Sequence, residues 1–321
     1  MSDDPALFLG FDLGGTHTRC VATLATGRIV GRGGAGPGHP RAVGTDGALH
    51  AIARARGQAL AVYGSKPEPA ASAGLGVAGL GTAEERREFA HALGPLRLAA
   101  PGGIVVDHDL AAAWCGAFGS EAGAILVAGT GSAAFAQRED GSRARAGGLG
   151  AILDDAGSAT AIGLAALRRL VRESDGREDS SELGRTLRRE LALAEIRGVL
   201  RIAGADRLDR PAVAALAPRV AALAERGCPV ARAIVEGAAA ELAALARAVA
   251  PERGEIALEG GAISAPGPLR TALESALRAD GFAPVDPLLD PTLGALLLAR
   301  PAPERRDLAE AIARDLENTA P

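Results

Sequence analysis

Residues 6–16 form the sequence Ala6-Leu7-Phe8-Leu9-Gly10-Phe11-Asp12-Leu13-Gly14-Gly15-Thr16. The apolar run in its first half is typical of a strand buried on both faces, and Asp12 is predicted to end that strand. The four residues after Asp12 predict a turn. Two further strands are predicted over residues 18–24 and 28–32. The chain therefore opens with a predicted three-stranded meander whose first turn is rich in glycine.

The same pattern starts again in the middle of the chain. Residues 124–128 predict a second apolar strand, Gly129-Thr130-Gly131-Ser132 predicts a second glycine turn, and strands are predicted over 133–137 and 142–146. Gly129 follows Gly14 by 115 residues. A repeat of domain length indicates gene duplication and two similar lobes rather than a solenoid.

A length of 321 residues suits about two domains. A helix predicted over residues 303–318 is amphipathic, and we expect it to pack back on the first lobe. The predicted lobes are therefore residues 1–118 with about 303–321, and residues 119–302. Helices are also predicted over 43–62, 83–93, 109–118, 158–173, 183–200, 212–225, 230–249, 268–279 and 291–299, with strands at 72–78, 103–106 and 256–258.

Composition excludes several classes of protein. A net charge of −4, with no basic cluster, argues against nucleic-acid binding. Lys66 is the one lysine, and it precedes Pro67 in a predicted turn, which excludes a P-loop and a protein kinase. Residues 122–137, the longest uncharged run, are too short to span a membrane. The acidic start resembles no signal peptide, so we expect a cytoplasmic protein.

Three cysteines, Cys20, Cys115 and Cys228, are far apart in the sequence and are predicted to be buried apolar residues. The five histidines show no metal-ligand spacing. Residues 74–79 match the GxGxxG pattern, but they lack the preceding long strand and the later acidic residue of a dinucleotide site. We therefore reject a Rossmann site.

The two glycine turns suit phosphate binding because glycine lets backbone N–H groups approach an anion, and the Thr or Ser hydroxyl adds a donor. The alternative is that they are ordinary hairpin turns. For one turn alone that alternative is preferred, whereas the repeated pair favours phosphate. Asp12, directly before the first turn, could hold Mg²⁺ beside phosphates, and its alternative is an Asx turn.

Two further acidic segments are candidates for the chemistry. Asp107 and Asp109 follow the strand predicted over 103–106, where one carboxylate could accept the proton of an attacking hydroxyl. A helix N-cap explains Asp109 about equally well. Residues 147–158 could present Asp155 and glycine backbone to a polyhydroxylated ligand, although a loop ending at a capping Ser158 is the preferred explanation for that segment alone.

Taken together, these motifs resemble the sugar-kinase, heat-shock-ATPase and actin superfamily. The resemblance is strongest to its N-acetylglucosamine kinase branch, which is grouped with the BadF/BadG/BcrA/BcrD ATPases. It covers nearly the whole chain in the expected order, and the motifs that carry it are Phe11-Asp12-Leu13-Gly14-Gly15-Thr16, Val106-Asp107-His108-Asp109, Val127-Ala128-Gly129-Thr130-Gly131-Ser132, Gly147-Gly148-Leu149-Gly150, Asp154-Asp155-Ala156-Gly157-Ser158 and Glu259-Gly260-Gly261.

This resemblance implies an α/β fold of two ribonuclease-H-like lobes, of the actin and hexokinase type, that close over MgATP in a cleft between them. It implies that Asp12 organises Mg²⁺ and that Asp109 is the base that deprotonates a sugar hydroxyl. It further implies a homodimer. The positions that match phosphate contacts are Gly14, Gly15, Thr16, Gly129, Thr130, Gly131 and Ser132, those that match adenosine contacts are Gly260 and Gly261, and those that match sugar contacts are Gly79, Asp109, Thr130, Gly148 and Asp155.

Four positions depart from the pattern of the N-acetylglucosamine kinases. His39 stands where they carry a sugar-binding Asn, and Leu149 replaces the tryptophan of their GGWG motif. Ala156 replaces the acid that follows the position of Asp155, and His17 replaces a basic residue. The ATP motifs are intact. The departures leave open which aminosugar or hexose is bound, with His39 as the candidate contact.

The leading hypothesis is an ATP-dependent kinase acting on N-acetylglucosamine or a related aminosugar, at the 6-hydroxyl. An activator of an iron–sulfur dehydratase or reductase is the second, but residues 125–128 contain no cysteine and Cys115 stands alone. The third is a nucleotide or sugar sensor. Because the first strand is predicted to begin by residue 6, we expect no N-terminal DNA-binding domain, and the sequence lacks the zinc-binding cysteines of repressor-type sugar kinases.

Overall fold

A computed structural model describes residues 6–61, 63, 69–119, 121–204, 208–250 and 252–319. Lys66, with its predicted turn, lies outside these residues. The chain divides into two compact units. Unit 1 runs from the first strand to Gly123 and includes Glu139–Gly141 and the segment from Pro287 onward, and unit 2 comprises Ala124–Arg138 and Ser142–Asp286.

Unit 1 contains a mixed five-stranded sheet. Its strands are β1 (Leu7–Leu13), β2 (Thr18–Leu24), β3 (Ile29–Ala35), β4 (Ser72–Val77) and β5 (Ile104–His108). They lie in the order β3-β2-β1-β4-β5. The predicted meander is confirmed, because β2 is antiparallel to both β1 and β3. β1, β4 and β5 are parallel, so their carboxyl ends lie at one edge of the sheet.

The second sheet repeats this arrangement. Its strands are β6 (Gly123–Ala128), β7 (Ser132–Gln137), β8 (Arg143–Gly147), β9 (Gly254–Glu259) and β10 (Phe282–Val285). They lie in the order β10-β9-β6-β7-β8, and β9 is parallel to β6 and β10. The sequence repeat therefore reflects two sheets of matching topology. β10 was not predicted, because it has only four residues, one of them a proline.

The structure also contains helices between and after the strands. In chain order they are α1 (Pro40–Ala61), α2 (Ala83–Ala92), α3 (Asp109–Phe118), α4 (Ala159–Ser174), α5 (Glu182–Glu190), α6 (Val199–Ala203), α7 (Arg210–Ala214), α8 (Ala217–Glu225), α9 (Pro229–Val249), α10 (Pro268–Ala279), α11 (Pro291–Leu298) and α12 (Ala302–Thr319). Among these described helices, none combines the length and hydropathy that crossing a membrane requires.

Two helix predictions are wrong, because in the structure neither segment is a continuous helix. The helix predicted over 183–200 ends with α5, and Ala192 then has a left-handed backbone (φ +49°), which is incompatible with a continuing helix. The helix predicted over 212–225 is divided into α7 and α8. Pro218 lies in the first turn of α8, where it has no N–H to donate to the carbonyl four residues earlier.

Glycines in the centre of the first sheet allow α11 to pack on its backbone. Gly10 in β1 pairs with Gly74 in β4. A Cβ atom on Gly74 would lie 1.7 Å from the carbonyl oxygen of Ala295, and one on Gly10 would lie 2.3 Å from that of Thr292. The boundary of unit 1 therefore differs from the predicted one at residue 303, since α11 is packed against β1 and β4.

We expect Gly74→Ala to destabilise the protein by about 3 kcal/mol, because the new methyl group has no space beneath α11. Gly57→Ala is the matched control. Gly57 lies within α1 with open space around its Cα, so the same substitution should stabilise the protein by about 0.4–1 kcal/mol. Chemical denaturation of both variants measures the difference, and equal effects would contradict the packing argument.

Candidate functional site

Asp12 lies within β1, near the carboxyl end of the strand. The expectation that it ends the strand is wrong, because the hydrogen-bonded ladder continues to Leu13. Asp12 pairs with Arg19 of β2 on one side and with Gly76 of β4 on the other. Its Oδ2 atom lies 3.7 Å from the Arg19 Nη1 atom, and its side chain is 18% exposed. The carboxylate is thus accessible and has a cation beside it.

The first glycine turn joins β1 to β2 as a tight hairpin. The Gly14 amide donates to the His17 carbonyl oxygen (2.9 Å), and the Gly14 carbonyl accepts from the Gly38 amide (3.1 Å). Gly15 and Thr16 form the exposed tip of the turn, and no atom lies within 4 Å of where a Gly15 Cβ would be. Among the described residues, the amides of Gly15 and Thr16 have no hydrogen-bond partner. They are therefore available to an anion.

Gly76 connects the candidate magnesium ligand to the candidate base. It pairs with Asp12 of β1 and with Asp107 of β5, so these three positions form one row across the parallel strands. A Cβ on Gly76 would lie 2.5 Å from the Ala112 Cβ and 3.6 Å from the Asp109 Cα. The first turn of α3 is thus packed over Gly76. Asp12 and Asp109 lie at the same edge of the sheet.

The two carboxylates near the start of α3 have different surroundings. Asp107 belongs to β5, where its Oδ1 atom accepts from the His108 amide (2.8 Å) and lies 3.6 Å from the Arg86 Nε atom. The expectation that Asp107 follows the strand is therefore wrong. In the part of the chain that the structure describes, the Asp109 carboxylate accepts one hydrogen bond, from the Leu110 amide (3.0 Å).

The alternative that Asp109 caps α3 is wrong. The N-cap is His108, whose Nδ1 atom accepts from the Ala111 amide at 3.0 Å. A neutral imidazole nitrogen can accept such a bond in place of the usual carboxylate or hydroxyl oxygen. Asp109 is the first residue of the helix proper, and its carboxylate is not needed for capping.

His39 and Gly79, two positions predicted to bind substrate, are in direct contact. A Cβ on Gly79 would lie 2.3 Å from the His39 Cε1 atom, so the imidazole rests against the glycine backbone. Gly79 also has a positive φ of 88°, which disfavours any other residue. The His39 Nδ1 atom accepts from the Arg41 amide (3.2 Å). This contact brings the segment after β3 and the segment after β4 together.

An ion pair fixes the start of α1 to the start of α2. Arg41 follows His39 by two residues, and its Nη2 atom lies 2.5 Å from the Glu85 Oε1 atom. Glu85 also completes a capping box, since Thr82 accepts from the Glu85 amide and the Thr82 amide donates to the Glu85 carboxylate. The hydrogen bond from the Thr82 backbone, followed by that from Arg41, lowers the pKa of Glu85 to about 2. Its carboxylate is therefore ionised at neutral pH.

The second glycine turn joins β6 to β7, and as in the first turn only some of its backbone amides donate hydrogen bonds. The Gly129 amide donates to the Gly131 carbonyl oxygen (2.8 Å) and the Ser132 amide to the Asp155 Oδ1 atom (3.2 Å). The Ser132 hydroxyl donates to the Ala156 carbonyl oxygen (2.6 Å), so it is already used within the protein. Within the described residues, the amides of Thr130 and Gly131 have no partner. Each glycine turn thus leaves two consecutive amides unpaired.

Asp155 is held tightly beside this turn. Its side chain is 4% exposed, its backbone is left-handed (φ +58°), and its Oδ2 atom lies 2.6 Å from the Arg210 Nη2 atom. Both of its oxygens are therefore engaged by the protein. Ser158 caps α4, as expected, by accepting from the Ala161 amide. The predicted sugar-contact position Thr130 is anchored to α4, because its carbonyl accepts from the Thr160 hydroxyl (2.6 Å).

The remaining candidate glycines lie near the same turn in unit 2. A Cβ on Gly260, which follows β9 and has a φ of +102°, would lie 2.5 Å from the Ala128 carbonyl oxygen at the end of β6. Gly261 has no atom within 4 Å of where its Cβ would be. A Cβ on Gly148 (φ +76°) would lie 3.2 Å from the Ala133 Cβ. Neither Gly260 nor Gly148 can accept a side chain without strain.

Arg210 was not predicted from the sequence. No motif marks it, since it is one of many arginines and lies 55 residues from Asp155. The exposure of three apolar side chains in the loop after β8, those of Leu149, Ile152 and Leu153, was not predicted either. Such exposure is visible only once the structure shows that nothing in the described residues covers these side chains.

No three His, Cys, Asp or Glu side chains among the described residues form a cluster that could hold a metal ion. The prediction that Cys20, Cys115 and Cys228 are buried is confirmed, and none of the three forms a disulfide within the described residues. Burial raises the pKa of the Cys20 thiol well above its usual range. The donor set at Asp12, a single carboxylate next to unpaired turn amides, fits Mg²⁺ that keeps waters and phosphate oxygens as its other ligands.

The chain is similar in sequence to known proteins. The profile of the BadF/BadG/BcrA/BcrD ATPase family matches residues 9–299. An N-acetylmuramic acid/N-acetylglucosamine kinase from Clostridium acetobutylicum is 25% identical over 54% of this chain and 56% of its own length. A glucosamine kinase from Vibrio cholerae is 31% identical over 53% of this chain and 56% of its own. The matches thus span about half the length of these curated relatives.

Solved structures extend the likeness to nearly the whole chain. A Chromobacterium violaceum protein, described as a candidate N-acetylglucosamine kinase, is 28% identical with a TM-score of 0.77, covering 92% of this chain and 99% of that one. A glucokinase of the ROK family from Streptomyces griseus, solved with glucose and AMPPNP, has a TM-score of 0.51 at 18% identity, covering 94% and 99%. The predicted fold class, α/β with two ribonuclease-H-like units, is confirmed.

The Glu85 contacts predict a pH-dependent stability. Because the pKa of Glu85 is about 2 in the folded protein and about 4.5 ordinarily, its stabilising contribution is complete above pH 4.5 and is lost as pH falls towards 2. The free energy of unfolding of wild type should therefore exceed that of Glu85→Gln above pH 4.5, and the difference should shrink as the solution is acidified.

Urea titrations of wild type and Glu85→Gln at several pH values measure this difference. Glu84→Gln is the matched control, since it removes a charge from the same helical turn and leaves the capping box in place. A difference between wild type and Glu85→Gln that stayed constant down to about pH 2 would contradict the assignment of the low pKa.

Proposed function

The chain belongs to the BadF/BadG/BcrA/BcrD ATPase family, and from that premise we propose that it is an ATP-dependent kinase that phosphorylates a hydroxyl of an aminosugar. Two curated relatives named as kinases of aminosugars support the substrate class. The structural likeness to a candidate N-acetylglucosamine kinase supports it over nearly the whole chain. The proposed acceptor is N-acetylglucosamine or a related aminosugar, at its 6-hydroxyl.

The observation that carries the proposal is the pair of glycine turns. Gly15 and Thr16 in one turn, and Thr130 and Gly131 in the other, each present two consecutive unpaired amides among the described residues. Consecutive backbone N–H groups without side chains in the way are a phosphate-binding arrangement. We propose that both turns bind ATP phosphates and that Gly260 and Gly261 border the adenosine. Gly14, Gly129 and Ser132 shape the turns through their internal hydrogen bonds.

Asp12 is the proposed magnesium ligand. Its partly exposed carboxylate is two residues from the first turn, and Arg19 is 3.7 Å away, a distance too long for a strong hydrogen bond. When bound, Mg²⁺ supplies positive charge that neutralises the phosphate oxygens during transfer. Asp12 would hold the ion by one carboxylate, with the other ligands coming from water and phosphate.

Asp109 is the proposed general base. Its carboxylate is not used for capping, it makes no ion pair within the described residues, and it lies at the same sheet edge as Asp12. A carboxylate so placed can accept the proton of the attacking sugar hydroxyl as the phosphoryl group is transferred. Asp107 is a poorer candidate because the His108 amide and Arg86 already occupy it.

The proposed sugar contacts are His39, Gly79, Asp109, Thr130, Gly148 and Asp155. The contact between His39 and Gly79 supports their joint role, since any side chain at residue 79 would displace the imidazole. Asp155 has both oxygens engaged by the protein, so its proposed part includes shaping the second turn. The homodimer and the cytoplasmic location stay predictions. The alternative of an iron–sulfur activator has less support, because all three cysteines are buried and lie far apart in the sequence.

We expect Asp109→Asn to reduce turnover by a hundredfold or more, because general base catalysis contributes about 10²–10⁴. ADP release with a panel of amino and neutral sugars and MgATP measures it. Asp107→Asn is the matched control and should retain far more activity, since the Asp107 carboxylate is already engaged. Equal losses in the two variants, or near-wild-type turnover of Asp109→Asn, would remove Asp109 as the base. If wild type released no ADP with any sugar of the panel, the proposal that the protein is a sugar kinase would be rejected.

We expect Gly79→Ala to raise the KM for the sugar about tenfold or more and to leave the affinity for ATP unchanged. The new methyl group would displace His39 and would also strain a backbone with positive φ. Gly81→Ala is the control, because a Cβ there would lie 3.7 Å from its nearest neighbour, Glu85 Oε2, an ordinary contact. A parallel rise in the Kd for ATP would show that the effect is not confined to the sugar site.

A further inference from the structure

Arg210 reaches the second glycine turn from a helix that is remote in sequence. Its Nη2 atom lies 2.6 Å from the Asp155 Oδ2 atom, and the Asp155 Oδ1 atom accepts from the Ser132 amide at 3.2 Å. One carboxylate therefore connects the guanidinium to the backbone of the turn. A charge-assisted pair of this length, with a second hydrogen bond on the same carboxylate, fixes the position of both groups.

The guanidinium lies against the turn itself. A Cβ on Gly131 would be 3.0 Å from the Arg210 Nη2 atom and 2.8 Å from the Asp155 Oδ1 atom. Glycine at residue 131 therefore allows the ion pair to approach the backbone whose amide is unpaired. An anion that binds the amides of Thr130 and Gly131 would have the guanidinium as a close neighbour.

The second glycine turn can attract an anion only if Arg210 offsets the negative charge of Asp155. The Asp155 side chain is 4% exposed, and a buried carboxylate next to the turn would on its own repel a phosphate. Arg210 is 41% exposed and carries five N–H donors, one of which is used on Asp155. Its Nε atom is buried and has no hydrogen-bond partner within the described residues. Donors thus remain at the turn.

The composition of the chain makes arginines such as Arg210 the main candidates for a positively charged phosphate contact. Lys66 is the single lysine, so a positively charged phosphate contact elsewhere in the sequence has to come from arginine or histidine. Arginine suits the task because its planar guanidinium can hold a carboxylate with one edge and a phosphate with another. Within the described residues, no other guanidinium is paired with a carboxylate that also accepts from an amide of either glycine turn.

We propose that Arg210 binds the nucleotide phosphates at the second glycine turn and that Asp155 holds its guanidinium in place for this purpose. The inference deepens the proposed function and rests on it. The ligand class is a magnesium-bound nucleoside triphosphate, recognised at its polyphosphate chain and not at its base or ribose.

Calorimetric titration of the full chain with MgATP, adenosine and magnesium tripolyphosphate tests the proposal. Arg210→Gln should weaken binding of both polyphosphates about tenfold or more, since it removes hydrogen bonds to a charged group, and it should leave adenosine affinity unchanged. Arg210→Lys should lose less, because the charge remains although the planar fork is lost. The matched control is Arg219→Gln. Arg219 is 44% exposed and pairs with Glu190 at 3.0 Å, away from the turn, so its loss should change none of the three affinities.

A double variant separates direct phosphate binding by Arg210 from mere neutralisation of the Asp155 charge. If Arg210 contacts phosphate directly, Arg210→Gln combined with Asp155→Asn should still bind MgATP more weakly than wild type, although removing the Asp155 charge returns part of the affinity that Arg210→Gln loses. Recovery of wild-type affinity in the double variant would show that Arg210 serves only as a counter-ion, and the proposal would be wrong. Equal losses for MgATP and adenosine in Arg210→Gln would indicate a general structural effect and would also overturn it.

The outcomes distinguish this inference from the kinase proposal. If wild type phosphorylates a sugar and Arg210→Gln retains full affinity for MgATP, the inference fails and the kinase proposal stands. If Arg210→Gln loses polyphosphate affinity while wild type releases no ADP with any sugar, the kinase proposal fails and Arg210 remains a phosphate ligand.

Discussion

The architecture of unit 1 depends on backbone surfaces that carry no side chains. Gly10 and Gly74 lie side by side in β1 and β4, and they let α11 rest directly on the sheet. Gly76, two residues further along β4, does the same for α3. Helices that approach a sheet this closely cannot shift without steric collision, because packed interiors are dense and resist displacement. The position of Asp109 at the start of α3 is thereby determined by a glycine.

The register of the parallel strands places Asp12, Gly76 and Asp107 in one row and thereby positions the acidic side chains of the candidate site. Parallel pairing places these residues side by side at the carboxyl ends of three strands. Side chains at that edge can act on a common ligand, as is general for parallel sheets in α/β proteins. The register also separates the roles of the acidic residues. Asp107, inside β5, is engaged by Arg86 and the His108 amide, whereas Asp109, one step beyond His108, keeps an accessible carboxylate.

Unit 2 repeats the sheet and the glycine turn, but it stabilises its turn differently. In unit 1 the turn is bounded by a hydrogen bond between Gly14 and His17 and lies near a partly exposed Asp12. In unit 2 the turn is held by Asp155, whose buried carboxylate accepts from the Ser132 amide and pairs with Arg210. The backbone of Asp155 is left-handed. A buried charge is costly unless it is paired and hydrogen-bonded, and here both conditions are met. Duplicated folds can thus carry different electrostatics at equivalent turns.

The sequence by itself predicted the duplicated strands, both glycine turns and most helices, because apolar periodicity and glycine are local signals. It also placed Ser158 as a cap, since capping involves neighbouring residues. Only the tertiary structure decided that His108 caps α3, that β1 continues past Asp12, and that Arg210 pairs with Asp155. These features depend on strand pairing, on competition between nearby acceptors, or on contacts between distant residues. None of these determinants produces a periodic pattern in the sequence.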